Sequence, residues 1–181
     1  MRDDIPPVVA LCGVKGSGKS YCAKYLSEKY GYQVIKFASP IKDMLRALGL
    51  TNDQLEGNMK EASTSLLCGH SARWAMQSLG TEWGRKCIDE NFWVNLWVRK
   101  AERSLGLGLP VVVDDLRFSN EAQAVRDLDG LILQVLKEGE NFDGHQSEVI
   151  DFESDLQFAS DTMVKPVLDN CLRLWKTAKE Y

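Results

Sequence analysis

Gly13-Val14-Lys15-Gly16-Ser17-Gly18-Lys19-Ser20 fits the pattern GxxxxGK[ST] at every fixed position. These residue types can build a cradle for a polyphosphate. Glycines let the backbone curl until several N–H groups point at one anion, and a helix starting at the end of the loop adds its positive terminus. A lysine at position 19 reaches β- and γ-phosphates, and a hydroxyl at position 20 can ligate Mg²⁺. The expected ATP phosphate-binding set is Gly13, Lys15, Gly16, Ser17, Gly18, Lys19 and Ser20. The flanks agree with this reading. Val8–Cys12 is an apolar run that reads as a buried strand, and Lys19–Tyr30 reads as a helix stopped by Gly31.

A second group follows the apolar run Val111–Val113: Asp114-Asp115-Leu116-Arg117. In open parallel sheets, ligands lie beyond the carboxyl ends of strands. An acid there, Asp115 or Asp114, can hold Mg²⁺ through water. Arg117 can grip a second phosphate in bidentate fashion. The plainer alternative is surface charge in a turn. Arg73 and Gln77 stand four apart and share a helix face, pairing a guanidinium for phosphate with an amide for a base edge. A solvated helix face is the alternative there. Arg85 follows beyond Gly80-Thr81-Glu82. Trp74 and Trp83 could stack on a base or pack in a core. His145, Ser147 and Glu148 lie in a polar stretch after an apolar run ending at Leu136. Phosphoryl transfer needs little proton chemistry, so a lid is favoured over an acid–base role, with a plain surface loop as the alternative.

The elements that must position these groups alternate along the chain. Strands are expected at residues 8–12, 32–37, 111–113, 131–136 and 156–159. Helices are expected at 19–30, 40–48, 71–87 with an interruption at Gly80, 89–105, 119–128 and after about 164. Residues 49–69 read as irregular, with a short helix near Asp53. Such alternation predicts an α/β fold in three layers, a parallel sheet of about five strands with helices on both faces. No linker or repeat divides the 181 residues, so a single domain is expected, with a lid-like loop at about 137–154.

Composition narrows the classes. Apolar residues make up 44% and charged residues 27%, enough for an ordinary core. The net charge of -4 argues against a nucleic-acid partner. Five cysteines with no CxxC suit reduced thiols in a cytoplasmic setting, and the spacing of Cys68, His70 and Cys87 fits no usual metal pattern. The first seven residues lack an apolar signal core, and no apolar run reaches the roughly 18 residues a membrane span needs. The base-reading [NT]KxD of GTPase switches is absent.

Together, these segments resemble the deoxynucleoside monophosphate kinases of bacteriophages, within the P-loop kinase superfamily. The resemblance rests on GVKGSGKS at 13–20, FASPIKDML at 37–45 and RWAMQSLGTEWGRKCI at 73–88. FWV at 92–94, VVVDDLRFSNEAQAVR at 111–126 and HQSE at 145–148 complete it. It implies a P-loop fold, ATP with Mg²⁺ as donor, and a dNMP as acceptor that becomes a dNDP. By position, Lys19, Arg117 and Asp115 carry over as catalytic. Lys42, Arg46, Arg73, Gln77, Arg85 and Arg117 carry over as acceptor-binding, within a helical region of about 38–106. Lid candidates are Lys137, His145, Ser147 and Glu148. The family commonly has an arginine near the strand before the lid, where this chain has Lys137, and residues 137–148 contain no arginine. The resemblance suggests a phage or bacterial source, hence a host cytoplasm, and leaves room for a homodimer. Two rival readings share the cradle: a kinase for another small acceptor such as dephospho-coenzyme A, and a nucleotide-binding regulatory module without transfer.

Overall fold

The structure is a computed structural model that describes residues 4–137, 151–160 and 163–179. Its strands are β1 (Val8–Cys12), β2 (Gln33–Val34), β3 (Val111–Val113), β4 (Leu131–Leu136) and β5 (Leu156–Ala159). Its α-helices are α1 (Lys19–Tyr30), α2 (Ser39–Ala47), α3 (Asn52–Leu55), α4 (Ala72–Gln77), α5 (Phe92–Gly106), α6 (Ser119–Asp127) and α7 (Val164–Lys179). The chain divides into two compact units, Met1–Lys36 with Trp97–Tyr181, and Phe37–Leu96.

The first unit holds the sheet. Its order is β2-β3-β1-β4-β5, and every adjacent pair is parallel. All five residues of β1 are buried, as expected of a strand covered on both faces. Val9, Leu11, Leu133 and Val135 meet Cys22 and Leu26 of α1 and Leu168 and Leu172 of α7 in one apolar layer. On the opposite face, α6 packs against β1 and β4, and Ala122 and Val125 are fully buried. Each fully buried Val or Leu of this core contributes about 1.5–3 kcal/mol. The result is the three-layer α/β fold expected.

One strand is shorter than its sequence suggested. Residues 32–37 read as a strand, but only Gln33–Val34 pair in register with β3. The buried Tyr32 turns its hydroxyl to the Pro6 carbonyl at 2.7 Å, and the Ile35 carbonyl accepts the Trp97 indole N–H at 2.9 Å. The Ile35 N–H still donates to the Val112 carbonyl at 3.0 Å, so the ladder ends where Trp97 takes the Ile35 carbonyl.

The second unit is helical. Ile41, Leu45, Leu50, Leu55, Ala72, Ala75 and Trp93 form its core. Thr51 and Gln54 close a capping box on α3, and the Ser71 hydroxyl caps α4 by accepting from Trp74 N at 3.2 Å. An interruption was expected at Gly80. Instead the helix continues past α4 and widens into a π-helix over Ser78–Ile88. Trp93 accounts for it: its indole N–H donates to the Gly80 carbonyl at 2.8 Å. A Cβ at Gly84 would lie 2.3 Å from the same nitrogen. The Gly80 carbonyl thus accepts the indole and Gly84 leaves room for it, with Phe92 edge-on to it and Trp83 tilted beside it. No described helix is long and apolar enough to cross a membrane.

Candidate active site

The strand order reverses around β1 and β3, and their carboxyl ends carry the chemistry-bearing groups of the first unit. Directly after β1, Gly13 adopts φ +132°, and a Cβ there would sit 2.2 Å from the Val135 carbonyl oxygen. No other residue fits this close approach between loop and β4. Gly18 adopts φ +93° at the start of α1, with the Ser160 side chain 3.2 Å from where its Cβ would be. Ser17 is fully buried and anchors the turn through its N–H to Val14 O at 3.3 Å. Lys19 donates to the Gly13 and Val14 carbonyls at 2.7 and 2.6 Å, so its ammonium is held across the loop. Lys15 and Gly16 form the exposed tip.

Ser20 links the loop to β3. Its hydroxyl donates to Asp114 Oδ2 at 2.7 Å. Only 3% of the Asp114 side chain is exposed. Its Oδ1 is buried without a hydrogen bond. Lys36, two residues past β2, donates to Oδ2 at 2.9 Å and lies equally close to Oδ1, there as an ion-pair contact without hydrogen-bond direction. A hydroxyl and a buried carboxylate with an unbonded oxygen are hard oxygen donors of the kind Mg²⁺ takes. The residues present fit that ion. Of the two acids in the sequence pair, it is Asp114 that meets Ser20, while Asp115 is half-buried beside it. Arg117 is exposed. The turn that carries it is fixed by Glu121, 3% exposed, which accepts from the backbone N–H of Arg117 at 2.9 Å and of Phe118 at 3.3 Å. That contact ties the start of α6 to the end of β3.

Cys12 and Cys22 flank the cradle. Burial pushes both thiols up to about 11 against the opposing pull of Lys19, so both stay protonated near neutral pH.

In the second unit, the expected acceptor residues fall on α2, α4 and the π-helix. Lys42 donates to both oxygens of Glu56 at 2.8 Å, and Arg46 joins the same carboxylate at 3.8 Å while pairing with Asp43 at 2.8 Å. Arg73 pairs with Glu61. Arg85 donates to the Glu90 carbonyl at 3.3 Å. Gln77 is exposed one turn beyond Arg73, and Trp74 between them stacks on His70 with ring centroids 3.8 Å apart. Lys42 and Arg46 thus share an acid, whereas Arg73 and Arg85 each have their own partner. Of the lid candidates, Lys137 is exposed just past β4, and His145, Ser147 and Glu148 lie outside the described residues.

Sequence reasoning missed two residues. Lys36 belongs to no motif, and its role follows only from β2 lying beside β3. Ser160 meets Gly18 only because β5 ends beside the loop.

Residues 50–164 match the family of deoxynucleotide monophosphate kinases. The chain is also 32% identical over 159 residues to an Acanthamoeba polyphaga mimivirus protein provisionally named a deoxynucleotide monophosphate kinase, covering 78% of this chain and 80% of that protein. The chain belongs to the deoxynucleotide monophosphate kinase family. The family match begins beyond the cradle, so loop and family are separate observations. Among solved structures, a Mycobacterium tuberculosis APS kinase aligns with TM-score 0.47 at 13% identity over 94% of this chain and 96% of that one. A Chloroflexus aurantiacus protein provisionally described as a kinase aligns with TM-score 0.43 at 10% identity, over 74% of this chain and 60% of that one.

Proposed function

We propose that this chain transfers the γ-phosphoryl of ATP to a deoxynucleoside monophosphate, giving a dNDP and ADP. The observation that carries the reading is the Ser20–Asp114 pair at 2.7 Å, set on the glycine cradle of a chain from this family. The backbone N–H groups of Gly13–Ser20 bind the donor phosphates, and Lys19 exchanges its loop carbonyls for them. Ser20, and Asp114 through water, would hold Mg²⁺, which supplies neutralising charge on the donor phosphates when bound.

The helical region of about 38–106 binds the acceptor. Lys42, Arg46 and Arg73 take its phosphate, Gln77 its base, and Arg85 supports that face. The Lys42 side chain is 12% exposed and its partner Glu56 43%. An acceptor phosphate, which carries more charge than a carboxylate, displaces Glu56 and Glu61 by exchanging one anion for another. Arg117 grips the phosphates at the end of β3, with Asp115 beside it. A phosphate monoester is largely ionised near neutral pH, so its oxygen attacks in line without a strong base, and catalysis is positioning plus charge stabilisation. The segment of about 137–154, with Lys137, His145, Ser147 and Glu148, covers the reactants and excludes water. A cytoplasmic site of action and a homodimer accord with this reading.

The test is an acceptor panel with ATP and Mg²⁺: four dNMPs, four NMPs and dephospho-coenzyme A. The reading predicts ADP together with a dNDP. Phosphorylation of dephospho-coenzyme A alone, or ATP binding with no transfer, contradicts it.

A further inference from the structure

The metal-facing carboxylate already has a cation. Lys36 Nζ stands 2.9 Å from both Asp114 oxygens, on a side chain 29% exposed, while the carboxylate it meets is 3% exposed. Asp114 therefore keeps a full counter-charge inside a site where water screens little. The pair is built by the sheet itself, since β2 and β3 are parallel neighbours and both residues lie just past their carboxyl ends. Ser20 completes the cluster from the first turn of α1.

We propose that Lys36 is a specificity-determining counter-cation, which holds Asp114 against free divalent metal so that the carboxylate accepts metal only together with a nucleotide polyphosphate. Two cations sharing one buried carboxylate repel each other, and the repulsion is large where the dielectric is low. A polyphosphate removes that conflict, because its oxygens give the ammonium another partner of the same sign as Asp114. The lysine arm is partly exposed and flexible enough to make that exchange. Free metal would thus be kept off the site, and metal and donor would load as one species. The inference rests on Ser20 and Asp114 being the metal pair of the proposed kinase.

The probe is Mn²⁺ alone, titrated by electron paramagnetic resonance into protein without nucleotide, at fixed ionic strength. Lys36→Met should bind Mn²⁺ at least about tenfold more tightly than the unaltered chain. Lys36→Arg, which keeps the charge, should stay within about threefold of it. A merely structural role for Lys36 would act in the opposite direction, since a disturbed site binds metal less well. Urea unfolding establishes that each variant folds, and if Lys36→Met does not, Lys36→Gln carries the same expectation. Unchanged or weaker Mn²⁺ binding in the neutral variant overturns the inference. Adding Asp114→Asn to the neutral variant should abolish the gain. If the gain survives, the metal sits elsewhere and the proposed metal pair fails with it. If Asp114→Asn weakens metal–ATP binding while the neutral variant shows no gain, only the role of Lys36 falls.

Discussion

Around Gly13–Ser20 the groups that can meet an anion are backbone amides held by glycine geometry, whereas on α2 and α4 they are long cationic side chains held by Glu56 and Glu61. The first arrangement tolerates little change. Gly13 has no space for a Cβ, and the Ser20–Asp114–Lys36 cluster is anchored on a carboxylate that is almost wholly buried. The second can be re-formed, because the acids that hold the cations, Glu56 and Glu61, are exposed side chains able to swing away. A preorganised cradle suits a donor that is the same in every turnover. A re-formable face would suit the acceptor phosphate of the proposed reaction, which enters and leaves in every turnover. Each region should therefore fail in its own way when altered.

Lys19→Ala should have the largest effect, lowering kcat by about 100- to 1,000-fold, as for loss of other donors aimed at developing charge. The ranking of acceptors should stay unchanged. Steady-state kinetics at saturating ATP check this, and a near-normal kcat would remove Lys19 from the transferring phosphate. Gly84→Ala strikes the other region. Its Cβ would enter the space of the Trp93 indole, and overpacking of this kind costs about 1–3 kcal/mol. Urea unfolding should show that loss, and hydrogen exchange should localise it to residues 72–96 and spare β1 and β3. Equal loss of protection in β1 would contradict the separation drawn here.

Gln77→Leu should alter ratios of kcat/KM among dGMP, dTMP, dCMP and dAMP by about 5- to 150-fold and leave the KM for ATP unchanged, since a lost buried base contact costs about 1–3 kcal/mol. A common fall for all four would make Gln77 structural. The smallest effect concerns α1 and α7, which Asp169 ties together by accepting from Tyr25, Tyr30 and Lys29 at 2.8, 2.7 and 2.6 Å. Burial alone would raise its carboxyl, but hydrogen bonds from Lys29, Tyr30 and Tyr25 outweigh burial and hold it below its ordinary value. A depressed carboxyl stabilises above its unfolded pKa, and the gain is lost as pH falls below about 4 through the folded value. Asp169→Asn should cost about 1 kcal/mol near neutral pH and flatten the acid limb of stability against pH.

Legibility in the sequence follows the same division. The limits of β1 and β3 could be read from apolar runs, because burial on both faces leaves little freedom of composition. The π-helix could not, since Gly80 looks like a break until Trp93 is seen to bond its carbonyl and to fill the space beside Gly84. The edge strand β2 was overextended because the residue that takes the Ile35 carbonyl, Trp97, lies far along the chain. The glycine cradle was legible as a motif, and its acid only as a choice between Asp114 and Asp115. Lys36 was invisible, because its meaning depends on strand order and not on spacing. The cations of α2 and α4 were visible as charges, but nothing in their spacing reveals that Glu56 and Glu61 engage them.

The most direct measurement follows the phosphoryl group itself. ATP labelled at the γ-position is mixed with excess protein, Mg²⁺ and one dNMP in a single turnover, and the products are separated. Label should leave ATP for the dNDP only when dNMP is present, and Lys19→Ala should abolish this on the same timescale. Label released as free phosphate, or retained in ATP while both nucleotides are bound, would contradict it.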